Sequence, residues 1–121
     1  MPRSDEETAM ALLSPSTNAQ YSGARIAAWL LALSGLFEFV PGCIHYFLPD
    51  GGAGVIAHLD LSHDRALILG IFAWMGSMQI PFGLAMMIVA WRYRTLVPLF
   101  LLLNLVERGL MALSVRNARR A

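Results

Sequence analysis

ALILGIFAWMGSMQIPFGLAMMIVAW, from Ala66 to Trp91, is 26 residues without one charged side chain. An apolar run of about 18 or more residues reads as a helix able to cross a hydrocarbon core roughly 30 Å thick. At about 1.5 Å per residue this run is about 39 Å long, so it must tilt, kink or protrude. Pro81 supplies a kink, because it has no N–H and crowds the carbonyl of Ser77. In lipid a spanning segment is a helix or part of a closed barrel. No period-two alternation marks strands here, so the chain is helical.

Two further runs flank this one. Ile26 to Leu48 is apolar apart from Glu38, Pro41, Gly42 and His45, and Thr95 to Val115 carries Asn104, Glu107 and Arg108. The Arg92-Tyr93-Arg94 turn is so short that the second and third runs pair as a tight antiparallel hairpin. Between the first two runs, Pro49 to Arg65 opens on the turn signal Pro49-Asp50-Gly51-Gly52. Val55 to Leu61 reads as lying along a membrane surface, with Ser62 as N-cap and Asp64 in the first turn of the second helix. The expected fold is all-α and integral to a membrane: a bundle of three transmembrane helices spanning about 26–48, 66–91 and 95–115, oligomeric or part of a larger assembly. A flexible polar tail over 1–23, a transmembrane domain over 24–115 and a basic tail over 116–121 complete the division. The N-terminal tail lacks the basic n-region of a cleaved signal, so the first helix is expected to be kept.

Composition agrees. Hydrophobic residues make up 57% and charged residues 14%, against about 25% charged in ordinary globular chains. A net charge of +1 gives no basic face for nucleic acid. Cys43 is the single cysteine, which excludes an internal disulfide or a thiolate metal cluster and reads as a small core residue. With three full crossings the flanking arginines divide four against four, so orientation is undetermined; Arg25 beside the first span favours a cytoplasmic N-terminus. The alternative is a first run that turns back at Pro41-Gly42, which gathers six arginines on one side.

The polar residues inside the apolar runs are the candidates for function. Counting along the helices puts Glu38, Gln79 and Arg108 at one level, with Asn104 one turn from Arg108 on the same face. A charge at that depth costs about 2.5–3.5 kcal/mol on insertion scales, and the guanidinium fork suits a carboxylate. The reading is a Glu38–Arg108 pair with Gln79 and Asn104 completing its hydrogen bonds. Glu107 points about 100° away from Arg108 and is left over. Gly35, Glu38, Gly42 and His45 form one stripe, while Gly76, Gly83 and Ala90 recur every seven residues. Such small residues let helices approach closely, and glue between helices is the plainer account of the whole stripe.

His45, His58 and His63 are weak metal candidates, with Asp50, Asp60 and Asp64 nearby. The spacing of His58 and His63 does not put both rings on one helical face, and no zinc motif is present. No cofactor is required, although His45 leaves haem, a pigment or a divalent metal open. Phosphate loops and nucleophile elbows are absent, so no catalytic residue is assigned and an enzyme is disfavoured. Met75, Met78, Met86 and Met87 crowd the second run and read as packing.

Three stretches carry a resemblance: the apolar run with Gly35 that ends at Pro49; His58-Leu59-Asp60-Leu61-Ser62-His63-Asp64-Arg65 leading into Gly70 and Gly76; and Arg92-Tyr93-Arg94 leading to Glu107-Arg108-Gly109-Leu110. Together they resemble a family of small bacterial membrane proteins grouped under a domain-of-unknown-function label (DUF4345-like), most of Arg25 to Val115 being covered. The resemblance implies a multi-helix fold in a bacterial cytoplasmic (inner) membrane, with one helix more than this chain supplies, and no activity. The function expected is a structural or accessory subunit acting through helix packing. Its partners would be the lipid bilayer and either copies of itself or subunits of a larger membrane complex, not nucleic acid. The alternative is an oligomeric transporter or channel for protons or a small solute, built on the Glu/Arg layer.

Overall fold

A computed structural model describes residues 12–120. Among them are three α-helices and no strand: α1 (Arg25–Phe47), α2 (Arg65–Arg92) and α3 (Val97–Arg120), with 3-10 turns at Asn18–Gln20 and Arg94–Leu96. All three helices are long and apolar enough to cross a membrane. Pro41 and Pro81 lie inside α1 and α2 without ending them. The first run is therefore one continuous helix and does not turn back at Pro41-Gly42. α3 continues past Val115 to Arg120, so Arg116, Arg119 and Arg120 are helical rather than a separate basic tail. Cationic side chains in a last turn complement the helix dipole, which favours this extension.

The core of the fold is the seam between α1 and α2. Ala28, Gly35 and Gly42 on α1 lie seven residues apart and face Ala90, Gly83 and Gly76 on α2. A Cβ added at Gly76 would sit 2.6 Å from the Gly42 carbonyl oxygen, and one at Gly83 would sit 2.7 Å from that of Gly35. Neither position has room for any side chain, so the two backbones touch. Alternate seam positions are filled by large residues: Leu31 and Met86 are fully buried. A seven-residue apolar repeat keeps two helices in register along their length.

α3 joins this pair differently: it follows α2 through a short turn, but the two pack loosely and not as the tight hairpin expected of the second and third runs. Val97 at its start is fully buried, and Phe100 stacks on Phe82 with ring centroids 6.4 Å apart. Beyond that the helix is open: Leu105 is 69% exposed and Leu110 62%. Only 6% of its most apolar stretch is buried, against 28% for α1 and 11% for α2.

The α1–α2 link contains turns and no helix over Val55 to Leu61. Its order comes from Asp50, whose carboxylate accepts the backbone N–H groups of Gly52, Gly54 and Val55. These bonds favour the ionised form and hold the Asp50 pKa below the ordinary aspartate value. Gly51 and Gly52 take positive φ (63° and 79°), which lets the chain curl around that carboxylate. The expected cap at Ser62 is not made. The Ser62 hydroxyl donates instead to Asp60 at 2.6 Å, and Asp64, at φ 53°, turns the chain directly into α2.

The polar segment before α1 is not a loose tail where it is described. Asn18 Nδ2 donates to the Trp91 carbonyl at 2.8 Å and Ser16 Oγ to the Arg92 carbonyl at 2.9 Å. Returning bonds run from Arg94 N–H to Asn18 Oδ1 and from Arg92 Nε to the Ser14 carbonyl, both at 3.1 Å. Ser14 to Asn18 thus clasp the α2–α3 turn and satisfy carbonyls that the end of α2 leaves without helical partners.

Candidate functional site

Glu38 lies on the α1 face that carries Leu31, Gly35 and Gly42, between the other two helices. It is 3% exposed, the one charged side chain among the described residues that is so deeply buried. Arg108 of α3 reaches it, with Nη2 donating to Glu38 Oε2 at 3.0 Å. The pair is lopsided, because the arginine side chain stays 45% exposed. Glu38 therefore bears nearly all of the desolvation, and Arg108 keeps donors turned outward.

Gln79 and Asn104 do not complete this pair. Gln79 Oε1 and Asn104 Oδ1 are buried and accept no hydrogen bond among the described residues, and Glu107 Oε2 is in the same position. Glu107 follows the helical geometry expected of it: one residue from Arg108, it faces inward while Arg108 reaches around to Glu38. Its carboxyl group lies beside that of Glu38.

A cavity of about 310 Å³ unites these groups. Glu38 lines it from α1; Met75, Met78, Gln79 and Phe82, spaced as one helical face, line it from α2; Glu107 and Met111, four residues apart, line it from α3. Three of the five sequence-selected polar residues thus share one chamber, the fourth, Arg108, is bonded to its wall, and Asn104 is outside it. The methionines were the missed component. Their i, i+3 spacing matches Gln79 and Phe82, but the same spacing serves ordinary packing, so nothing in the sequence separates the two roles. The glycines Gly35, Gly42, Gly76 and Gly83 all lie in the α1–α2 seam, just beside the chamber.

The histidines are placed elsewhere and apart. His45 Nδ1 donates to the Gly51 carbonyl at 2.8 Å, with its ring edge-on to Phe72, and so ties the link to the end of α1. His63 contacts the Ser62 hydroxyl at 2.9 Å, and His58 has positive φ. Asp60, Ser62 and His63 touch, but in the wrong order for nucleophilic catalysis. The serine proton goes directly to the carboxylate, whereas a triad needs the imidazole between them. No three His, Cys, Asp or Glu side chains among the described residues gather closely enough to hold a metal ion. Cys43 is a free, half-buried thiol.

The chain matches no family model, no curated protein and no solved structure, so the likeness to the small bacterial membrane proteins rests on the quoted residues alone.

Proposed function

We propose that this protein is a membrane-spanning subunit in which α1 and α2 form a self-sufficient pair and α3 is the helix that mates with another membrane chain. One observation carries the reading: α3 leaves its apolar length uncovered while holding a half-exposed arginine halfway along it. Exposed leucines alone are explained by lipid. A guanidinium facing hydrocarbon is not, because its remaining N–H groups need acceptors. A second chain that brings acceptors to Arg108 resolves the cost. The small-residue seam supports the other half of the reading, since backbone contact of this kind needs no third partner to hold it.

Native mass spectrometry of the chain released from its own membranes tests this. A discrete complex, either a fixed number of copies or a defined set of subunits, is expected. A lipid-bound monomer under conditions that preserve other membrane complexes would sink the proposal. Transport of a small cation is the second reading, favoured by the buried carboxylates in the chamber. Flux through proteoliposomes containing only this chain separates it from a purely structural role.

A further inference from the structure

The chamber between the helices is short of hydrogen-bond donors. Gln79 and Glu107 both line it, and Gln79 Oε1 and Glu107 Oε2 are buried and receive no hydrogen bond among the described residues. A buried acceptor left unpaired costs about 1–3 kcal/mol. Acidic groups outnumber basic ones there in the same sense. Two carboxylates, Glu38 and Glu107, share the chamber, while the single neighbouring cation, Arg108, is bonded to Glu38 and does not line the space. What fits there brings N–H or O–H donors and one positive charge.

The walls restrict the class further. Met75, Met78, Met111 and Phe82 supply most of the remaining surface. Thioethers are polarisable and adapt to an apolar body, and an aromatic face attracts a cation. A hard divalent ion needs six or more oxygen ligands, and among the described residues no third acidic, histidine or cysteine side chain joins the two carboxylates. A volume of about 310 Å³ is at the lower end for small-molecule sites, at roughly 300–1,000 Å³.

We infer that this chamber is a binding site for a small organic ammonium ion, primary or secondary, with an apolar body. The ammonium group donates to Glu107 Oε2 and Gln79 Oε1, and its charge offsets the carboxylate that Arg108 leaves unmatched. The apolar body lies against Met75, Met78 and Phe82. Recognition depends on N–H donors as well as charge, so a quaternary ammonium of the same shape binds worse. The site is an open groove lined by residues of this chain's own three helices, and it stands whether or not α3 mates with a second chain.

Isothermal titration of the full-length protein in lipid nanodiscs tests it with three probes of similar shape: benzylammonium, benzyltrimethylammonium and benzyl alcohol. Saturable binding of benzylammonium, at least tenfold tighter than either of the others, is expected. Absence of saturable binding overturns the inference, and so does equal affinity for the quaternary ion or the neutral alcohol. Both results come from the unaltered protein and do not depend on a variant folding. With folded variants, Glu107→Gln is expected to weaken benzylammonium at least tenfold and Arg116→Gln to leave it unchanged. A Glu107→Gln protein that binds as tightly as the original places the ligand elsewhere and overturns the inference equally.

Discussion

α1 meets α2 backbone to backbone, whereas α3 meets both of them through side chains. The first contact is built from absence: four glycines in two facing pairs leave nothing between the helices, and a methyl group at Gly76 or Gly83 would come within 2.7 Å of a carbonyl oxygen. The second is built from a few specific groups, namely Val97, the Phe82–Phe100 stack and the Glu38–Arg108 pair. Small residues buy proximity and many weak van der Waals contacts. These few contacts hold α3 near its start and at Arg108 and leave most of its apolar length uncovered. Rigidity in one half and availability in the other are thus consequences of which residues line each contact.

Substitution at the seam should have the largest effect. Gly76→Leu must displace the Gly42 backbone, and overpacking of this sort costs about 1–3 kcal/mol or more. Equilibrium unfolding in mild detergent is expected to show that loss, with Gly109→Leu on α3 nearly silent because a Cβ at Gly109 would meet no packed neighbour within 4 Å among the described residues. Equal costs at the two sites would break the distinction between the contacts. Next in size is Arg108→Leu, which leaves Glu38 buried without its donor and should cost about 1–3 kcal/mol. Exchange of the two residues, Glu38→Arg with Arg108→Glu, should recover part of that loss. An exchanged protein as unstable as the sum of both single variants would mean that the two side chains do not stabilise each other.

The clasp sharpens the comparison at its edge. Asn18→Ala removes the donor to Trp91 and the acceptor for Arg94 and should cost about 1 kcal/mol. Faster amide exchange at Arg94, with the seam amides unchanged, is the expected pattern. The smallest effect concerns the link. Asp50 has a lowered pKa in the folded chain, so its contribution is present above the ordinary aspartate range and is lost as pH falls through the folded value. The amide resonances of Gly52 and Val55 should move together over that acidic interval. Asp50→Asn should abolish the movement and leave α1 and α2 intact.

How much of this was legible differs along the chain for physical reasons. The seam was legible because a glycine repeat of seven leaves a mark at every second turn, at Gly35, Gly42, Gly76 and Gly83. The meeting of Glu38 with Arg108 was legible because residues at equal depth on parallel-running helices are easily counted. The hydrogen bonds expected from Gln79 and Asn104 were not found, because depth fixes a level but not a direction around the helix. The cap at Ser62 was misread since a nearby carboxylate, Asp60, competes for the same hydroxyl. The clasp was invisible. Its acceptors are the backbone carbonyls of Trp91 and Arg92, which every residue possesses, so no pattern of side chains announces them.

That clasp has a consequence in time. Ser14 and Arg92 are 78 residues apart in the chain, and synthesis proceeds at about 5–20 residues per second, so roughly 4–16 s separate the making of the two halves. Throughout that interval Ser14 to Asn18 have no carbonyls of Trp91 or Arg92 to hold. They close only on a completed α2, with the turn to α3 already made. Ser14 to Asn18, made before all three helices, are thereby among the last residues to settle, and their protection from exchange or proteolysis reads out whether α2 and its turn have been finished.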